Sequence, residues 1–336
     1  GLLKMLTVAQ TTLSMKGLHP SRRSVLGAAA ALAAGARPRP GTAAVTSAAA
    51  EGGSVDGLNV DPSATLVDTS QDYDISRAVL YDTASGSFLP AAPERSLKPA
   101  LRRAADGAGE DIRVLFAGEE PTHPLHHRMQ LEMVKAVDAM DDRPVAIGLE
   151  MFYRAHQPAL DAFVFEDGSF AALKRRTKWR STWGYDFNHY SKILAYARQH
   201  GIRLVGLNVP FGFVSAVANN GLDGLPASLK PYMPTIDRGN ERHFARFERD
   251  VRLVPGGPAV DGTTLAHWYE AELLWEEYMA QSIAGYVQQH EGRIVVLAGA
   301  SRVRPPAETA ACVGAQPLTP SPPGGSRWPR VALDNP

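Results

Sequence analysis

Side chains suited to acid–base or ligand chemistry follow the first of four short apolar segments in this 336-residue chain. Glu119 comes almost directly after Ile112–Ala117, and His123, His126 and His127 follow it closely. Carboxylates and imidazoles are the usual groups in acid–base catalysis and metal binding. Glu119 and His126 are therefore candidate catalytic residues. Helix capping remains the alternative interpretation for both.

Polar residues also follow the other three apolar segments. Glu150 ends the second segment, Asn208 ends the third, and Arg302 follows the fourth. A carboxylate at the end of a buried strand has to be paired or functional, so Glu150 is a third candidate catalytic residue. Asn208 and Arg302 are candidate binding residues.

An aromatic segment, Trp179–Tyr190, interleaves aromatic residues with Asp and His. Such a segment is suited to line an apolar pocket for a flat ligand, although packing over the sheet is the alternative. A second carboxylate, Glu272, lies on a predicted apolar helix stripe with Trp268 and Trp275. It either reaches the same site or lies at the edge of its stripe.

The elements that would position these residues alternate between strands and helices. Predicted strands cover Ile112–Ala117, Pro144–Leu149, Arg203–Leu207 and Arg293–Ala298, and predicted helices cover Leu125–Met140, Ala155–Phe163, Ser169–Lys174, Asn188–His200 and Thr264–His290. This βαβ pattern predicts an α/β fold, a mostly parallel sheet with helices on both faces. In such a sheet, ligands bind beyond the carboxyl ends of the strands, where the candidate residues gather.

Composition narrows the function further. The chain is 44% hydrophobic, with 35 basic and 35 acidic residues and a formal net charge of +0. The chain lacks the excess of basic residues that would indicate a nucleic-acid partner. The single cysteine, Cys312, leaves neither an intramolecular disulfide nor a cysteine-rich zinc site.

Residues 1–50 are predicted to be a targeting signal. They contain no Asp or Glu and include Arg22-Arg23 ahead of an Ala-rich apolar run. An acid-free transit peptide followed by a twin-arginine export signal predicts a chloroplast protein of the thylakoid lumen. The alternatives are a bacterial periplasmic protein and a disordered tail without an address. The apolar run is about 11 residues, so no transmembrane segment is expected.

The rest of the chain divides into three parts. Residues 51–73 are a predicted linker, 74–303 the α/β domain, and 304–336 a disordered Pro-rich tail. A small N-terminal β-hairpin is predicted over Tyr81–Phe88, with turn residues in the middle.

The ordered motifs of this domain resemble the ChaN-like haem-binding uptake proteins, relatives of the Tiki group. The matching motifs are Gly118-Glu119 with His126–Glu132, Glu150-Met151-Phe152 with Gln157-Pro158, Trp183-Gly184-Tyr185-Asp186, and Leu207-Asn208-Val209-Pro210. The resemblance implies an α/β fold, an assembly that is often a homodimer, and haem held by a tyrosinate ligand. Tiki relatives use a related Glu/His site for metal-assisted peptide cleavage.

Carried onto this chain, the resemblance makes Tyr185 and Tyr190 the candidate ligands of haem or a related tetrapyrrole. Phenolate is a known axial ligand in haem proteins. His127 and Trp183 join Asn208 and Arg302 as further candidate cofactor-binding residues.

Two positions depart from the family pattern. Pro121 and Arg302 stand where the family motifs have histidines. Neither side chain replaces an imidazole as a metal ligand. We therefore expect haem binding in an exported compartment, rather than catalysis. The alternatives are a metal-dependent hydrolase using Glu119, His126 or His127, and Glu150, and a degenerate partner-binding protein.

Overall fold

A parallel β-sheet forms the centre of the protein. The computed structural model describes residues 5–7, 81–82, 87–88, 97–102, 112–252 and 260–300. The strands are β1 Met5–Thr7, β2 Tyr81–Asp82, β3 Ser87–Phe88, β4 Val114–Glu119, β5 Val145–Tyr153, β6 Arg203–Asn208 and β7 Arg293–Gly299. The main sheet has the order β1-β4-β7-β5-β6, and all its pairs are parallel.

The small hairpin is confirmed. β2 and β3 pair antiparallel, with Tyr81 opposite Phe88 and Asp82 opposite Ser87. Of the predicted signal segment 1–50, the structure describes only β1, which lies beside β4. The predicted linker 51–73 and the predicted disordered tail 304–336 lie outside the described residues.

Helices connect the strands and cover both sheet faces. They are α1 Pro124–Asp138, α2 Gln157–Phe165, α3 Phe170–Arg176, α4 Trp179–Thr182, α5 Asn188–His200, α6 Phe211–Asn220, α7 Glu241–Arg252 and α8 Gly262–Gln289, with 3-10 turns at Arg154–His156 and Lys230–Tyr232. No helix in the described ranges is both long and apolar enough to cross a membrane. The predicted α/β fold with helices on both faces is confirmed.

Alternation along the strands explains the two helical layers. Leu115, Ile147 and Val295 pack in one core with side chains of α1, α2 and α5. Their immediate neighbours Val114, Ala146 and Ile294 pack in another core with α8. Because successive strand side chains point to opposite faces, α1 and α5 lie on one face and α8 lies on the other.

Strand β5 is longer than its predicted range. It continues beyond Leu149 through Glu150 and the buried apolar residues Met151 and Phe152. Its register with β6 shifts between Leu149 and Tyr153, where Tyr153 pairs with Asn208. The expectation that the second strand ends at Glu150 is wrong, because the following side chains are apolar and remain in the core.

Among the described strands, β6 has a neighbour on one side only. A side-chain amide bonds to its backbone. Gln157 Nε2 donates to the Leu204 carbonyl at 2.7 Å, and the Gly206 N–H donates to Gln157 Oε1 at 3.1 Å. The amide thus pairs with β6 as a residue of another strand would. Gly206 is required beside it, because a Cβ there would overlap the carbonyl oxygen of Tyr153.

Candidate functional site

The candidate residues at the strand ends form one edge, as expected from the parallel sheet. Glu150 Oε2 accepts a hydrogen bond from the Gly299 N–H at 2.6 Å, which links the ends of β5 and β7. Asn208 Nδ2 donates to the Glu150 carbonyl at 2.9 Å, which links β6 to β5. Glu150 and Asn208 therefore tie neighbouring strand ends together and shape the edge of the site.

Glu119 lies at the end of β4 and points toward the face covered by α1 and α5. Its side chain is buried, with a residue exposure of 2%. Tyr190 donates its O–H to Glu119 Oε1 at 2.6 Å, and Gln130 Nε2 donates to Oε2 at 2.9 Å. His127 Nδ1 lies 3.5 Å from Oε2. These four residues form the Glu119 network.

Burial dominates the electrostatics of this network. It raises the pKa of Glu119 from 4.5 to about 7, against the opposing effect of the hydrogen bonds from Tyr190 and Gln130. Burial also raises the pKa of Tyr190 well above 10, and the neighbouring Glu119 adds to the effect. At neutral pH, Tyr190 therefore remains a phenol, and Glu119 is divided between its acid and carboxylate forms.

His127 presents an unsatisfied acceptor to Glu119. Its Nε2 lies 3.0 Å from the Pro121 carbonyl, which assigns the proton of the neutral ring to Nε2. Nδ1 is then an acceptor, and it is buried without a hydrogen-bond partner in the described structure. Burial lowers the pKa of His127 from 6.5 to about 4. A proton on Glu119 thus has an acceptor beside it.

His126 lies at the rim of this network. Its Nδ1 accepts a hydrogen bond from the Glu120 N–H at 2.9 Å, and its ring stacks on His123 with centroids 4.2 Å apart. Burial lowers the pKa of His126 from 6.5 to about 4, so the ring is neutral at pH 7. His123 is the N-cap residue of α1 but makes no side-chain cap bond. Helix capping therefore does not explain the histidine group.

The aromatic segment is partly helical and surrounds Tyr190. Trp183 Nε1 donates to the Tyr190 oxygen at 3.0 Å, and the rings of Trp183 and Tyr185 are 5.6 Å apart. His189 stacks on His127 at 5.1 Å, and the edge contact of His127 with Tyr190 is 4.6 Å. We call Trp183, Tyr185, His189, His127 and Tyr190 the ring cluster.

The ring cluster has a buried base and a partly open side. Tyr190 and His127 are buried, whereas Trp183, Tyr185 and His189 are half-buried. Trp179, the buried first residue of α4, donates its indole N–H to the Tyr185 carbonyl at 2.7 Å. Half-buried rings over a buried base form a surface suited to a flat, largely apolar ligand.

The structure brings together most of the predicted site residues. Glu119, His127, Tyr190, Trp183 and Tyr185 are linked in one network, Glu150 and Asn208 shape the adjoining strand ends, and His126 lies at the rim. Arg302 lies outside the described residues. Glu272 belongs to α8, which packs on the opposite face of the sheet from the Glu119 network.

Sequence reasoning did not single out Gln130 and His189. Gln130 is fully buried and donates to both the Ala117 carbonyl and Glu119. The available signal was a polar residue on the buried face of α1, close to one helical turn after His127. His189 lies directly before Tyr190, and its stacking on His127 depends on the packing of α5 against α1.

Comparison with known proteins identifies one family. Residues 108–305 match the family model described as haem-binding uptake, Tiki superfamily, ChaN. A structure of ChaN of Campylobacter jejuni with cofacial haem binding has a TM-score of 0.50 at 15% identity, covering 71% of this chain and 87% of that one. At this identity, the likeness shows the fold.

Two further similarities are weaker. The chloroplastic protein RETICULATA-RELATED 5 of Arabidopsis thaliana is 25% identical over 210 residues, and the match covers 57% of this chain and 28% of that protein. This chain therefore spans well under half of that relative. An erythromycin esterase mutant in its open conformation has a TM-score of 0.32 at 15% identity, covering 56% of this chain and 61% of that one, which is too low to carry an argument.

Proposed function

Because the chain belongs to the haem-binding uptake family of ChaN in the Tiki superfamily, we propose that it binds haem or a related tetrapyrrole at the ring cluster. The role proposed is binding or trafficking rather than catalysis. The observation that carries it is the half-buried surface of Trp183, Tyr185 and His189 over the buried ring of His127. Aromatic and imidazole faces of this kind suit a flat macrocycle.

Within this proposal, Tyr185 is the ligand of the iron. Tyr190 is less suited, because its O–H bonds to the buried Glu119 and its pKa lies well above 10. Tyr185 is half-buried and projects from a segment held by Trp179. Bound haem would supply a ferric iron, for which the phenolate of Tyr185 would be a suitable ligand.

The remaining residues of the site support the ligand surface. His127 and His189 carry lowered pKa values, mainly because of burial, so both rings are neutral at pH 7 and present uncharged faces. Glu119 and Trp183 both bond to Tyr190 and thereby fix the base of the ring cluster. Glu150 and Asn208 hold the strand ends below it.

A metal-dependent hydrolase is less well supported. Among the described residues, no group of three or more His, Cys, Asp and Glu side chains is arranged to hold a metal ion. Both oxygens of Glu119 accept hydrogen bonds from within the protein. Tyr190 and Gln130 thus hold the Glu119 carboxylate within the Glu119 network.

We also propose a chloroplast location for the protein, with the thylakoid lumen as the specific compartment. The acid-free first 50 residues with Arg22-Arg23 support it. The name of the Arabidopsis thaliana relative, a chloroplastic protein, agrees with the chloroplast. Import of the full chain fused to a fluorescent protein, followed by fractionation of stroma and lumen, tests this location.

Haem titration tests the binding proposal. We expect the purified chain to shift the Soret band of added haem and to show the absorption of a phenolate-bound ferric iron. Tyr185→Phe keeps the ring but removes the ligand oxygen, so it should abolish that phenolate signature. Tyr196→Phe, a half-buried tyrosine of α5 that bonds to Asp138, is the matched control and should bind as the unaltered chain does.

Two results would overturn the proposal. One is the absence of any Soret shift with the unaltered chain. The other is a shift that persists unchanged when Tyr185 and Tyr190 are both replaced by Phe. If Tyr190→Phe alone removes the phenolate signature, haem binding stands but the ligand assignment to Tyr185 is wrong.

A further inference from the structure

An exposed ridge of basic side chains lies directly before the ring cluster in the chain. From Ser169 to Tyr185 the sequence contains no Asp or Glu. The basic residues of this stretch are all exposed, and we call them the cationic ridge: Lys174, Arg175, Arg176, Lys178 and Arg180.

Buried residues between the cations determine the outward direction of the ridge. Leu173, Thr177 and Trp179 are buried at positions that alternate with the exposed basic ones. Thr177 Oγ1 donates to the Leu173 carbonyl at 2.8 Å, and Lys178 adopts a left-handed backbone with φ of 50°. The ridge thus runs from the last turn of α3 through Lys178 into α4, with its cations at exposed positions between buried ones.

The ridge cations form no ion pairs in the described part of the chain. Exposed arginines elsewhere do form them, as in Arg143 with Asp141 and Arg252 with Glu248. Lys174 lies 5.3 Å from the ring centroid of Phe187, which leaves its charge on the surface. In a chain of net charge +0, this is a local excess of positive charge that forms no ion pair with a carboxylate of the described residues. The last turn of α3 accounts for part of it, since cations there complement the helix dipole.

We propose that the cationic ridge docks the protein onto a membrane surface that contains anionic lipids. Clusters of four to eight Lys and Arg side chains are sufficient for such binding, because each adds to the attraction of the negative surface. Phe165, an apolar side chain with 55% exposure, ends α2, which packs on α3 through Phe163 and Phe170 at 5.1 Å. The exposed carboxylates of Glu166 and Asp167 follow Phe165 directly, so the docking proposal rests on the cations and not on this apolar side chain.

A nucleic-acid partner fits the ridge less well. Binding of single strands combines cations with exposed aromatic faces on which bases stack. Trp179, the aromatic residue within the ridge, is buried against Phe152, Phe187 and Tyr190. Between Lys174 and Arg180 the ridge therefore offers positive charge without an exposed aromatic face of its own.

Docking through the ridge would bring the ring cluster to the membrane surface, since Trp183 and Tyr185 follow Arg180 directly in the chain. A flat apolar ligand dissolved in lipid would then enter the site without crossing water. The docking proposal itself does not depend on haem binding and is tested without haem.

Vesicle co-sedimentation of the full chain tests the docking. We expect it to pellet with vesicles of mixed phosphatidylglycerol and phosphatidylcholine at low salt and to stay in solution at high salt. It should not pellet with vesicles of phosphatidylcholine alone. The triple substitution Arg175→Gln, Arg176→Gln, Arg180→Gln should reduce binding by about tenfold or more. Circular dichroism should show an unchanged fold, because all three side chains are exposed.

A control with the same charge change separates the ridge from net charge. Arg242, Arg249 and Arg252 are exposed on α7, and their replacement by Gln removes the same three charges elsewhere. We expect this control to bind as the unaltered chain does. Equal loss in both variants, or no binding of the unaltered chain to anionic vesicles, would overturn the proposal. So would binding to duplex DNA without binding to vesicles.

Discussion

The proton on Glu119 links the local environment of one residue to the stability of the whole protein. Its folded-state pKa of about 7 lies above the ordinary value of 4.5, because burial disfavours the charged form. The native state therefore keeps a proton that the unfolded chain releases between these pH values. The resulting stabilisation is fully present below about pH 4.5 and is lost as the pH rises through 7.

Replacing Glu119 by Gln should remove this pH dependence. We expect the stability difference between the unaltered chain and Glu119→Gln to fall by about 1.4 kcal/mol per pH unit from pH 4.5 to 7, and to level off above. Urea unfolding at a series of pH values measures it. Gln199→Ala, at an exposed position of α5, removes no ionisable group and is the control, so its stability difference from the unaltered chain should not depend on pH. If the stability difference for Glu119→Gln is also independent of pH between 4.5 and 7, Glu119 does not keep its proton in the native state over this range.

At the scale of the elements, side-chain hydrogen bonds satisfy backbone groups that strand pairing leaves without a partner. Gln157 bonds to both the Leu204 carbonyl and the Gly206 N–H of β6. These are backbone groups that a further strand would otherwise satisfy, and leaving them unpaired at a partly buried position is unfavourable.

Replacing Gln157 by Ala should therefore destabilise β6. We expect a loss of about 1–3 kcal/mol in the free energy of unfolding, since a donor and an acceptor lose their partner together. Urea unfolding measures the loss, and hydrogen exchange of the Gly206 amide should accelerate more than that of Val205. Gln199→Ala, an exposed glutamine of α5, is the matched control and should change the stability by less than about 0.5 kcal/mol. Unchanged exchange at Gly206 would contradict this role of Gln157.

Strand and helix types were predictable where the pattern is local and strongly apolar. The four buried strands and α5, which ends at Gly201 with φ of 64°, follow from apolar runs and breakers. Helix α7 was not predicted, because its sequence is rich in charges and it buries only His243 and Val251 among its described residues. The extension of β5 was missed because Glu150 interrupts the apolar run, and its carboxylate is satisfied by Gly299, a residue distant in sequence.

Strand order at the scale of the whole molecule could not be read from the sequence. β7 comes last in the chain among the described strands, yet it lies between β4 and β5 in the sheet. The prediction that the candidate residues gather at the carboxyl ends of the strands did not need this order, because all the strands are parallel and Glu119, Glu150 and Asn208 lie at or near their ends. The insertion of β7 places Gly299 beside Glu150, and it separates Glu119 from Glu150 by one strand. A crevice at such a reversal of strand order is where ligands bind in open α/β sheets.

Buried histidines should make the whole molecule labile in acid. Burial lowers the pKa values of His126, His127 and His156 from 6.5 to about 4. The unfolded chain then binds more protons than the native state between these pH values. This stabilisation is fully present above pH 6.5 and is lost as the pH falls through about 4.

Over the same pH interval the native state lacks about three protons on these histidines but keeps one extra proton on Glu119. The unfolded chain therefore binds about two protons more than the native state. Solvent screening at the half-buried His126 and His156 reduces the effect further. We therefore expect the free energy of unfolding to fall by about 1–2 kcal/mol per pH unit between pH 6.5 and 4.5. Urea unfolding across this range measures the slope. His156→Gln should reduce the slope, whereas Gln289→Ala, which removes no ionisable group at an exposed position of α8, should leave it unchanged. If His156→Gln leaves the slope unchanged, the pKa of His156 is not lowered in the native state, and this histidine does not contribute to the acid lability.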